Sequence, residues 1–116
     1  MFNLFKKSPK ETFSYDQALL LTISFNGFDQ FGTTADRDGI TQLEKQIQEV
    51  LPENSGIDGH EFGDNECIIY IYGPSVDAIW NEVQPVLKKS DFDNIQATLQ
   101  YGLAEDPKTK EKKFTI

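Results

Sequence analysis

Residues 57–73, IDGHEFGDNECIIYIYG, carry the chain's only histidine and its only cysteine. The stretch is either a small reaction centre or a β-hairpin with a polar end, and the choice decides the fold. Its second half alternates: Cys67, Ile69 and Ile71 share one side of an extended chain, and Ile68, Tyr70 and Tyr72 share the other. A shorter strand near Ile57–Phe62 precedes it, and Gly63-Asp64-Asn65 between the two is turn chemistry. So short a connection demands antiparallel pairing.

The same reading extends in both directions. Upstream, ALLLTISF at 18–25 sets Leu19, Leu21, Ile23 and Phe25 on one face and Leu20, Thr22 and Ser24 on the other. After the loop NGFDQFG the period lengthens, and Ile40, Leu43, Ile47, Val50 and Leu51 recur at helical spacing. Thr34 is the expected N-cap, Asp36 and Asp38 sit in the opening turn where the helix dipole favours anions, and Pro52 is the stop. Downstream, Ser75 is placed to cap a second helix whose Val76, Ile79, Trp80, Val83, Val86 and Leu87 share a face, with Pro85 expected to kink or loosen its last turn. Ile95, Ala97, Leu99 and Tyr101 then alternate with Gln96, Thr98 and Gln100.

The resulting order, β-α-β-β-α-β, is closed most simply as an α+β, ferredoxin-like sandwich. That arrangement is a four-stranded antiparallel sheet in the order 4-1-3-2 with both helices on one face, and its two most apolar strands take the middle. One domain is expected: an N-terminal arm at 1–14, the core at 15–103, and a tail at 104–116. The tail turns at Asp106-Pro107 and can return as a short edge strand ending in Phe114 and Ile116.

Composition narrows the function classes. With 116 residues and 38% hydrophobic content the chain can bury one ordinary core. Lys and Arg number 11 against 19 Asp and Glu, a net charge of −8, which repels nucleic acids and anionic membranes and favours a basic partner. A single cysteine forms no internal disulfide and suits a reducing cytoplasm. No apolar run approaches the roughly 20 residues that span a bilayer. The opening MFNLFKKSPK has its lysines after its apolar residues, the wrong order for a signal peptide, and reads as a docked or loose arm more readily than as a weak membrane-surface anchor.

The segments ADRDGITQLE, GIDGHEFGDNE, IYIYGPSVDAIW and VQPVLKKS together resemble a widespread family of small bacterial proteins with a D-G-H-E hairpin and a Y-G-P motif. The likeness spans roughly residues 18–103, implies the fold, and carries over no functional residue. In size, acidity and fold type the chain also resembles cytosolic immunity proteins that neutralise bacterial toxins.

Catalytic chemistry finds little support. His60 and Glu61 are neighbours on a strand and must point to opposite sides, and Cys67 falls on the core face, where thiols are inert. Zinc would need further His or Cys ligands. The D-x-D-G of TTADRDGITQLE brushes a calcium loop, but Thr34 and Lys45 stand at its first and last ligand positions. No cofactor and no metal are expected, and the chain reads as non-enzymatic. What remains is an open sheet face presenting Tyr70 and Tyr72, and an acidic rim at one end of the sheet. That rim gathers Asp29, Asp36, Asp38, Asp64, Glu66, Asp91 and Asp93, partly offset by Arg37, Lys88 and Lys89. Tyr70, Tyr72, Asp36, Asp38, Asp64 and Glu66 are therefore the expected partner-binding residues, and a basic protein such as a toxin domain the expected partner. A homodimer is compatible with the fold. The alternative is a small-molecule-sensing regulatory domain, with NGFDQFG as its ligand loop.

Overall fold

The computed structural model describes residues 15–27, 30–103 and 105–116. The expected N-terminal arm and Asp29 lie outside these residues. Seven elements follow in the order β1 (Gln17–Ser24), α1 (Thr34–Val50), β2 (Gly56–Gly63), β3 (Glu66–Gly73), α2 (Val76–Lys89), β4 (Asn94–Gln100) and β5 (Glu111–Thr115).

The protein is α+β, and its five strands form one antiparallel sheet in the order β2-β3-β1-β4-β5. This corrects the expected four-strand order 4-1-3-2 to a five-strand one, in which the tail takes the edge position that its sequence allowed. The tail returns along β4, and Ala97 faces Phe114 and Thr98 faces Lys113 in its register. The physical cause is an apolar edge at Trp80: the Phe114 ring stacks on the indole at 5.5 Å, and Ile116 packs against the core.

The alternation in β1 is realised residue by residue. Leu19, Leu21 and Ile23 are fully buried, and in register they lie between Ile71, Ile69 and Cys67 of β3 and Leu99, Ala97 and Ile95 of β4. Ile40, Leu43 and Ile47 of α1 and Val76, Ile79, Trp80, Val83 and Leu87 of α2 join the same cluster, so both helices cover the same sheet face. Among the described residues the other face carries no helix.

Two local details differ from the sequence reading, and a third concerns the end of α2. The hairpin turn is two residues, Asp64 and Asn65, both in the left-handed region at φ 52° and 62°, the geometry whose twist matches paired strands. Gly63 is the last residue of β2 and pairs with Glu66. The N-cap of α1 is Thr33, in a reciprocal capping box: Thr33 Oγ1 accepts from the Asp36 amide at 3.1 Å, and Asp36 Oδ2 accepts from the Thr33 amide at 2.9 Å. Finally, α2 continues through Pro85 to Lys89 and closes at Ser90, whose amide and hydroxyl both donate to the Leu87 carbonyl.

The hairpin turn also anchors the loop after β1. Asn65 Nδ2 donates to the carbonyls of Phe25 and Gly27, the Asn65 amide donates to Gln30, and its carbonyl accepts from the Phe25 amide. One end of the sheet is thereby tied together: the end of β1, the loop that leads to α1 and the hairpin turn.

Candidate functional site: the helix-free face

The hairpin sets His60, Glu61 and Cys67 apart from one another. His60 faces the helices, where its Nδ1 lies 2.7 Å from Glu44 Oε2 and its ring meets the edge of Phe62. Glu61 faces the other way. Cys67 is fully buried, and burial with the nearby Glu44 carboxylate pushes its thiol up to about 12, far from a reactive thiolate. Among the described residues no three His, Cys, Asp or Glu side chains are grouped to hold a metal ion.

The helix-free face is built around β3. Ile68, Tyr70 and Tyr72 project there and are half-buried, with Leu20 and Thr22 of β1 beside them and Gln96, Thr98 and Gln100 of β4 beyond. Both tyrosines are held in place. The Tyr70 hydroxyl donates to Glu61 on β2, and that bond, with burial, raises the phenol to about 12. Tyr72 packs against Tyr15 with ring centroids 4.8 Å apart, and Tyr15 donates to Asp58 Oδ1 at 3.1 Å. Partial burial raises the Tyr72 phenol, and the carboxylates of Asp58 and Glu105 add to it. The tyrosines are therefore fixed, neutral and set in a negative field.

Asp58 reaches this position through an irregularity in β2. The register with β3 shifts between Ile57 and Gly59, leaving Asp58 as the extra residue.

The acidic rim lies at the other end of the sheet, and of its members Glu66 shares the face of Ile68, Tyr70 and Tyr72. Asp64 is exposed in the hairpin turn and Glu66 is half-buried at the start of β3. Six residues of strand, about 20 Å at the rise of an extended chain, separate Glu66 from Tyr72. Asp36 is engaged in the α1 cap, and Asp38 is exposed one residue beyond Arg37. Arg37 itself donates to the Gly32 carbonyl at 2.7 Å. Beside the rim opens a cleft of about 400 Å³ lined by Phe25, Phe92, Asp36, Asp91, Asp93 and Lys89 among others. Gly39 lines it as well, and the Phe92 ring packs so closely on that glycine that a Cβ there would lie 2.9 Å from it.

Of the six residues expected from sequence, the fold thus brings Tyr70, Tyr72 and, at the far end of the same strand, Glu66 onto one face, and sets Asp36, Asp38 and Asp64 apart from it at that end. The carboxylates beside the tyrosines, Asp58, Glu61 and Glu105, and the partner ring of Tyr15 escaped the sequence reading. Tyr15 precedes β1, and extending that strand's alternation would have put it on the helix side. Among the described residues no helix is long and apolar enough to cross a membrane.

No family model matches the chain, and no curated protein or solved structure does. The assignment of the site accordingly rests on its geometry.

Proposed function

We propose that this chain is a non-enzymatic, acidic protein-binding domain that engages a basic partner through the helix-free face of its sheet. The observation that carries this reading is a fixed patch of half-exposed Ile68, Tyr70, Tyr72 and Leu20 with carboxylates at its margin. Tyrosines immobilised before binding lose little entropy on association and are favoured interface anchors. The sharpest form of the proposal is an immunity-type inhibitor that neutralises a basic, nuclease-like bacterial toxin in the cytoplasm. A ferredoxin-like ancestry of the sheet, extended by β5, belongs to the same proposal. The net charge of −8 suits such a target, and a decoy for a nucleic-acid-handling protein needs that sign.

The deciding experiment is a titration of the purified chain against any toxin domain found encoded beside it, followed by calorimetry and by toxin activity. Tight binding that abolishes toxin activity supports the proposal, and absence of binding to such a neighbour overturns it. A small-molecule sensor is the second reading, favoured by the 400 Å³ cleft at the rim, a volume within the range of ligand pockets. A ligand-dependent rise in melting temperature that Gly39→Leu abolishes would favour it.

A further inference from the structure

The helix-free face ends in a notch of about 200 Å³ between β1, β3 and the segment that follows β4. It is lined by Tyr15 and Tyr72, by Ala18, and by Gln100, Leu103 and Glu105 among others. Resting on the proposed protein-binding role, we propose that this notch receives the guanidinium of an arginine side chain presented by the basic partner.

Size is the first argument. The volume falls below the roughly 300–1,000 Å³ of pockets for drug-sized ligands, and matches a single side chain better than a cofactor. The small side chain of Ala18, only 3% exposed, leaves the room that a larger residue would fill.

Chemistry is the second. The two rings lie 4.8 Å apart and tilted by 51°, both line the notch, and a cation over a ring face is attracted by its negative quadrupole. Exposed Glu105 supplies a carboxylate at the mouth, and Asp58 lies behind the Tyr15 hydroxyl. Gln100 donates through Nε2 to Glu111, which leaves its Oε1 as an acceptor. A planar, weakly hydrated guanidinium with several donors satisfies a carboxylate, an amide oxygen and a ring face together, whereas a compact ammonium keeps its water. Leu103, 53% exposed, offers apolar contact for the aliphatic stem.

The test is aromatic proton–carbon NMR on the full chain, titrated with N-acetyl-arginine amide and, separately, with its uncharged citrulline counterpart. The arginine probe should shift the Tyr15 and Tyr72 ring signals saturably at millimolar concentration, and leave Tyr101 unmoved. The citrulline probe should not. Glu105→Gln should weaken the arginine probe several-fold, and Tyr72→Leu about tenfold. Equal shifts from both probes, or an affinity unchanged in Glu105→Gln, overturn the inference. Because Glu105 is exposed, that variant decides the matter even if Tyr72→Leu fails to fold. The two readings fail separately: arginine binding in the notch with no basic protein on the face retains the notch and removes the partner. A partner whose dissociation is unaffected by Glu105→Gln and Tyr72→Leu retains the face and removes the notch.

Discussion

Tyr70 and Asn65 show how single side chains fix this surface. Tyr70 is held by Glu61, and a phenol that donates to a carboxylate resists ionisation. Its folded-state value near 12 exceeds the ordinary value of about 10, so its contribution to stability is fully present below pH about 10 and is lost as pH climbs towards 12. Spectrophotometric titration of phenolate absorbance should therefore show tyrosines ionising late, with unfolding in that same window. Glu61→Gln should move one of the late titrations back towards the ordinary range. Asn65 acts on the backbone: its amide group holds the carbonyls of Phe25 and Gly27. Asn65→Asp tolerates the left-handed turn but has no N–H to offer, and should cost about 1–3 kcal/mol, read as a lower urea midpoint at unchanged slope.

At the scale of elements, two junctions hold the layers. Gly73 ends β3 beneath α2, and a Cβ there would approach Ser55 Oγ to 2.3 Å and Ile79 Cδ1 to 2.9 Å. Gly73→Ala must push α2 from the sheet or displace Ser55, and a loss of about 1–3 kcal/mol in chemical denaturation is expected. At the opposite edge Phe114 of β5 covers Trp80. Phe114→Ala should redden the emission of the chain's only tryptophan and cost about 1 kcal/mol, leaving the rest of the sheet paired. These elements were legible in the sequence because their periods are long and clean: β1, β3 and β4 alternate, and both helices carry an apolar stripe. What was not legible hangs on the hairpin turn. A three-residue turn through Gly63 would set Glu61 opposite Cys67, facing the helices. The two-residue turn sets it opposite Ile68, on the tyrosine face. Because side chains alternate with period two, that one-residue difference moves Glu61 to the other side of the sheet. Asp58 arrives by a bulge and Tyr15 from outside the strand, and neither follows a period.

For the whole molecule, the separation of rim and tyrosines makes a kinetic prediction. The nearest rim carboxylate, Glu66, lies about 13 Å from Tyr70 and about 20 Å from Tyr72 along β3, beyond the Debye length of about 8 Å at physiological salt. Rim and anchors therefore act on different steps of association with a basic partner. Reversing Asp38 and Asp64 to Lys should slow association strongly at low salt and little at high salt, because exposed charges work through a screened long-range field. Asp36→Lys belongs in a separate arm: it removes half of the α1 capping box and should cost about 1 kcal/mol of fold stability whether or not a partner is present. Tyr70→Ala or Tyr72→Ala should leave association near its original rate and speed dissociation, by about 1–3 kcal/mol for a central anchor. Leu21→Ala and Ile69→Ala, at fully buried positions, should lower stability by about 2–5 kcal/mol and weaken binding only through unfolding. Stopped-flow association and surface-plasmon dissociation at two salt concentrations separate these classes. If tyrosine and rim variants both retain the original rates, the contact lies on the helices or along the β5 edge, where Lys112 and Lys113 would instead select an acidic partner.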